Sequence, residues 1–253
     1  MVQQVHHPAF PQQESEDTSV WRYLTKTKFA WLVNESRLFM PQAARLGDPL
    51  EGTQPQGDAN WWQTLIDNAE TLDQKSILEH NRDLISRFAV AFRSQYYVSC
   101  WHVNEKINRE MWESYANEPC SVAIRSTVGQ LRGVLPAYID IGLVRYINYA
   151  TERLPTLNML EYITHKSNTF TPEKELRAVA MHPVVDGFDK EHFQSHHFAS
   201  EHDETFLVYA PPISVTELIS EIYLHPDAAK EFSEEIGELC GKNKLPKEKP
   251  ATW

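Results

Sequence analysis

Strand-like runs recur along this chain without a regular helix between one strand and the next, and that irregularity constrains its fold more than any other feature. Tyr96-Tyr97-Val98-Ser99-Cys100-Trp101 is the strongest run, dense in aromatic residues and able to hold a pleated, half-buried surface. Val20 to Leu24, Ser121 to Arg125, Leu143 to Ile147 and Glu175 to Val179 alternate with the period of two that a strand requires, and Phe206 to Tyr209 adds a shorter run. Arg37 to Met40 reads as a strand ended by Pro41. Helical spacing covers Trp61 to Arg93, with a break that predicts two helices, and returns over Val128 to Leu135. Asn104 reads as the N-cap of a helix through Met111, Trp112 and Tyr115, and Pro226 to Cys240 as a closing helix with Gly241 as its C-cap. A doubly wound α/β sheet would repeat βαβ. This chain does not, which predicts an α+β fold with a mixed or mainly antiparallel sheet flanked by helices.

Length and composition set the frame for that sheet. A chain of 253 residues can bury roughly 70–75% of its unfolded surface, enough for one sizeable core. Residues 18–241 are expected to form a single domain. Residues 1–17 are polar and contain Pro8 and Pro11, and residues 242–253 interleave lysines with Pro246 and Pro250, so both ends are expected to be flexible. No run approaches the roughly 18 apolar residues of a membrane span, and the N-terminus lacks the apolar core of a signal peptide, so the expected location is the cytoplasm. Cys100, Cys120 and Cys240 lack metal-knuckle spacing and make an odd set, which fits a reducing compartment and small buried thiols.

The formal net charge is −11, with no Lys/Arg stripe to offset it, so binding to a nucleic-acid backbone is disfavoured while a pocket for one nucleotide is not. Nine glycines form neither GxGxxG nor GxxxxGK[ST], and GxSxG and HExxH are missing. His192, His196, His197 and His202 crowd one segment beside Asp203 and Glu204. Imidazole and carboxylate could hold a divalent cation, but the spacing fits a solvated run better and no metal is predicted. Asp48-Pro49-Leu50-Glu51-Gly52 sets two acids around a proline-fixed turn, able to cap the turn or to present the acids to a ligand, and Trp112 with Tyr115 suits packing on the sheet. From Lys166 to Arg177, strand alternation puts Glu175 and Arg177 on one face, with Glu173 on the same side if the strand starts early. The plainest reading of that run is a surface charge ladder.

Six of these stretches, in order, resemble a widespread bacterial family of unknown function, DUF2971: Trp21-Arg22-Tyr23, Leu38-Phe39 leading to the Asp48–Gly52 turn, Tyr97 to Trp101, Met111 to Ala116, Gly142 to Tyr146, and Lys166 through Glu173, Glu175 and Arg177. The order of polar residues is also similar to that of ADP-ribosyltransferase-like folds. That resemblance implies NAD as a substrate, with Arg22 on a phosphate, Ser99 supporting the nicotinamide ribose, and Tyr23 or Trp101 stacking on a ring. It implies that Glu175 stabilises an oxocarbenium ion and orients the acceptor while Glu173 completes the acidic pair. Cys100-Trp101 departs from the Ser-Thr-Ser pattern of arginine-directed transferases. The function it implies is an ADP-ribosyltransferase-like enzyme or an NAD glycohydrolase; the alternatives are a non-catalytic nucleotide- or protein-binding module and, third, a metal-dependent hydrolase using His192, His196, His197 and Asp203.

Overall fold

A computed structural model describes residues 7–182, 192–196 and 206–252. Its centre is a seven-stranded sheet in the order β12 (Glu248–Pro250), β11 (Glu221–Leu224), β4 (Ser121–Thr127), β1 (Ser19–Thr25), β3 (Tyr96–Val103), β8 (Glu175–Met181) and β5 (Asp140–Leu143). Every neighbouring pair is antiparallel except β11 and β12. Strands β2 (Met40–Pro41), β10 (Phe206–Tyr209) and β9 (Phe193–His196) form a small second sheet, and β6 (Arg145–Ile147) pairs in parallel with β7 (His165–Ser167). The α+β class and the mainly antiparallel sheet are as the sequence predicts.

Local signals explain most helix starts. Thr25 and Thr127, each the last residue of a strand, turn their hydroxyls back to cap α1 (Lys26–Glu35) and α5 (Val128–Val134), so strand passes directly into helix. The break expected between Trp61 and Arg93 separates α2 (Gln56–Asp67) from α3 (Leu72–Phe92), which Thr71 caps. Two boundaries differ from expectation. The cap of α4 (Arg109–Tyr115) is Asn108, whose side chain accepts from the Met111 N–H, because residues 104–107 first carry the chain away from the sheet. The last helix spans Lys230–Lys242 and ends on Asn243, so Gly241 lies inside it.

Both faces of the sheet are covered. Val20 and Leu24 of β1 join Val122, Ile124, Trp101 and Leu176 in the largest apolar cluster, under α1 and α5. Trp21 and Tyr23 point the other way, onto Met111 and Trp112 of α4. Strand β1 is thus a central strand, and Arg22, which alternation sets on the face opposite Trp21 and Tyr23, is half-buried in the cleft described below.

Composition predicts flexible arms at both ends, and among the described residues parts of both pack on the fold. Ala9 and Phe10 are buried with Tyr96, Val98 and Val179, and the Leu143 N–H donates to the Pro11 carbonyl at 2.7 Å. Gly142 permits this approach: a Cβ there would lie 2.8 Å from Phe10. At the other end, residues 248–250 add β12 to the main sheet. A few apolar anchors and one free strand edge outweigh the polar composition of both segments.

No helix among the described residues is long and apolar enough to cross a membrane. Of the cysteines, Cys240 alone is buried as expected; Cys120 is exposed and Cys100 faces a cleft.

Candidate functional site

The main sheet comes apart in its middle. Strand β1 pairs with β4 over seven residues and β3 with β8 over seven, yet β1 and β3 share only Val20↔Val103 and Trp21↔His102. Beyond that point the two strands diverge, and a cleft of about 320 Å³ opens between them. Its size falls within the range of small-molecule sites. A gap between strands can be lined from both pleat faces. Arg22 and Trp101 belong to one face, Cys100, Glu175 and Arg177 to the other, and all five line this cleft.

The far wall is a buried ion cluster built around Arg177. Its Nη1 and Nη2 donate to the two carboxylate oxygens of Glu51 at 2.6 and 2.9 Å, and its Nε and Nη2 to those of Glu175 at 2.8 and 3.0 Å. Nη1 also donates to the Ile163 carbonyl at 2.7 Å, which uses all five N–H groups. Lys166 Nζ lies 2.6 Å from Glu173, 3.4 Å from Glu175 and 3.8 Å from Glu51, and sits over the Phe170 ring at 4.4 Å. Three carboxylates thus face two cations. Burial alone would push the Glu175 carboxyl up, but Arg177 and Lys166 outweigh it and hold it at about 2. Burial would likewise lower Lys166, and the glutamates reverse that, so it is a firm ammonium. The half-buried Cys100 thiol, desolvated in the cleft wall and hydrogen-bonded to Glu175, is raised well above its ordinary value and stays protonated.

The near wall carries Arg22. Its Nη2 donates to the Phe39 carbonyl at 3.1 Å and its guanidinium lies 5.8 Å from the Trp101 ring. Among the described residues no carboxylate pairs with it, and desolvation lowers its pKa to about 10. The contrast with Arg177 is chemical: one arginine is saturated by the protein, while the other keeps donors to spare.

Of the residues expected at the site, Arg22, Tyr23, Trp101, Glu173 and Glu175 line this one cleft. Ser99 is not among its lining residues. It is fully buried, and its hydroxyl accepts from Trp101 Nε1 at 3.0 Å, because alternation along β3 gives the cleft position to Cys100. Tyr23 is wedged between Trp112 and His102, its hydroxyl accepting from the Asn108 N–H at 2.9 Å, and the Trp101 ring is buried behind Arg22. Neither offers a free stacking face. Glu173 reaches the cleft without belonging to the strand. It ends a 3₁₀ turn over Asn168–Glu173, and Lys174 at φ 41° redirects the chain into β8.

Glu51, Lys166 and Arg177 are not among the residues expected to hold NAD, although each stands in a stretch that the sequence singles out, and the ion pair that the shared face of Glu175 and Arg177 permits is formed at 2.8 Å. The Asp48–Gly52 turn, closed by the Leu50 N–H donating to Asp48 Oδ1 and by Gly52 at φ 69°, delivers Glu51 to Arg177 across 126 residues of chain. The surface ladder expected over Lys166–Arg177 is therefore a buried cluster. His102 and Tyr115 were also missed; Tyr115 donates its hydroxyl to Glu173 Oε1 at 2.5 Å. The expected histidine cluster lies mainly outside the described residues. His192 is described, 3.2 Å from Arg37, but His197, His202, Asp203, Glu204 and the His196 side chain are not. No group of three metal ligands occurs among the described residues.

No protein-family model matches the chain, so the likeness to DUF2971 rests on the six motifs alone. No curated protein matches it either. Two solved structures of DarT from Thermus sp. 2.9 are similar to it, one in complex with carba-NAD+ and one with ADP-ribosylated ssDNA. Each is 10% identical with a TM-score of 0.35; the alignments cover 93% and 96% of this chain and 95% and 97% of theirs. Similarity of that degree assigns neither a fold nor an activity to this chain.

Proposed function

We propose that the cleft binds NAD and cleaves its bond between nicotinamide and ribose, in the manner of an ADP-ribosyltransferase-like enzyme or an NAD glycohydrolase. The observation that carries this reading is the pairing of Arg22 with the glutamates across one gap. An arginine left with unfilled donors in a desolvated wall suits a diphosphate, which takes bidentate hydrogen bonds. Opposite it, Glu51, Glu173 and Glu175 outnumber Lys166 and Arg177 by one charge, which suits a pyridinium and the oxocarbenium that forms when it leaves. In that step the C1′–N1 bond breaks and its electron pair goes to the ring nitrogen, releasing neutral nicotinamide.

Within the cluster the two glutamates divide the work. Both Glu175 oxygens are engaged by Arg177, so Glu175 acts through its field. Glu173, whose oxygens accept from Tyr115 and Lys166, is the more exposed of the two. The full engagement of Glu175 also favours a second reading, a module that binds a nucleotide without turning it over.

Incubation with NAD while following nicotinamide separates the two. Release that Glu173→Gln and Glu175→Gln each reduce at least tenfold supports catalysis. NAD binding without release supports the binding module, and neither binding nor release overturns both.

A further inference from the structure

Among the described residues, two that line the cleft keep a buried polar atom without a hydrogen-bond partner: Asp48 at Oδ2 and His102 at Nε2. His102 follows Cys100 in the alternation of β3, forms the last pair of the β1–β3 ladder with Trp21, and lines the cleft beside Tyr23, Met111 and Tyr115. The residue is 5% exposed. Its Nδ1 lies 2.6 Å from the carbonyl oxygen of Glu173. A carbonyl can only accept, so Nδ1 carries the proton and Nε2 keeps its lone pair. That Nε2 is buried and has no hydrogen-bond partner among the described residues. An unpaired acceptor in a dry wall is costly and calls for a donor from elsewhere.

We propose that His102 Nε2 is the proton acceptor for the nucleophile that attacks the ribose carbon, an inference that rests on NAD cleavage in this cleft. The nucleophile, water or the hydroxyl or amine of an acceptor, forms its bond to C1′ as the bond to nicotinamide breaks. The proton it sheds passes to Nε2, and the resulting imidazolium is stabilised by the Glu173 carbonyl at Nδ1. One residue thus serves twice: the backbone of Glu173 orients the base while its carboxylate faces the cation that the base's substrate attacks.

The surroundings suit a base that is neutral at rest. The charged groups facing the ring are Glu173 and Lys174 from the turn before β8 and, in register on β8, Glu175; β1 contributes the Tyr23 ring at 6.5 Å, and α4 packs the uncharged Met111 beside Tyr23. Burial leads, Lys174 adds to it, and the imidazole is held below its ordinary value against the opposing pull of Glu173. It therefore enters the reaction as the free base at neutral pH.

The test compares the wild-type protein with His102→Asn, which keeps an N–H donor for the Glu173 carbonyl but puts nothing at Nε2, and with His102→Ala. The expected result is a loss in kcat of nicotinamide release of about 100-fold or more in both, with the NAD dissociation constant unchanged in the Asn variant. Added imidazole restores part of the activity of His102→Ala. Where the Ala variant fails to fold, the Asn variant decides. Unchanged kcat in His102→Asn beside an active wild type overturns the role of His102 and leaves NAD cleavage standing, whereas no release by the wild type overturns both.

Discussion

Arg22 and Trp101 occupy the positions that would form the next pair of the β1–β3 ladder, and instead they face each other across its opening, the guanidinium 5.8 Å from the indole ring. The register runs from Val20↔Val103 through Trp21↔His102 and stops there. Two large side chains stand where two backbones would have met. Beyond them each strand keeps its full partnership on the other side, β1 with β4 and β3 with β8, so the sheet loses few hydrogen bonds by splitting.

The far wall depends on Arg177. Arg177→Met removes the cation that donates to both oxygens of Glu51 and of Glu175 and leaves the buried carboxylates with Lys166 alone. Breaking a buried pair in this way costs about 3–5 kcal/mol, and urea denaturation should show a loss of that size. A loss below about 1 kcal/mol would mean that the cluster is far more hydrated than its burial indicates.

Ser99 tests the correction made to its expected role. Ser99→Ala deprives Trp101 Nε1 of its acceptor and should cost about 1–2 kcal/mol of stability, while nicotinamide release changes less than twofold. A large kinetic loss with little change in stability would return Ser99 to the ligand site.

Acid should unfold the protein through the same cluster. Folded Glu175 ionises near 2, against roughly 4.3 for an unfolded glutamate, so the unfolded chain takes up the proton first. The resulting stabilisation, on the order of 3 kcal/mol, is fully present above about pH 4.5 and is lost as pH falls toward 2. Thermal melts between pH 5 and pH 2.5 should follow that course, and Glu175→Gln should flatten it.

Much of this fold was legible in the sequence, because alternation and capping are local. The strands around Tyr96–Trp101 and Ser121–Arg125, the break before Thr71 and the antiparallel bias all lie within short windows. The cleft was legible only as a set of residue types. A period of two assigns Arg22 and Glu175 to faces, but no local pattern says that β1 and β3 part after Trp21. The same limit hid the partner of Glu51, which meets Arg177 from 126 residues away through a turn whose sequence suits turn closure and the presentation of acids to a ligand alike. Ser99 shows the opposite limit. Its residue type fitted a ligand role, while its neighbour Cys100 held the position that faces the cleft.

The measurement that bears most directly on the NAD site is a calorimetric titration of the wild-type protein and of Arg22→Ala with NAD. Among the described residues Arg22 makes one side-chain hydrogen bond, so its removal should barely change stability, yet it should weaken NAD binding by about 10- to 100-fold, the loss of a charge-assisted, bidentate contact. Arg22→Lys should recover only part of that loss, since an ammonium keeps the charge without the planar fork. No heat of binding in the wild type, or equal affinity in the wild type and Arg22→Ala, would contradict the account.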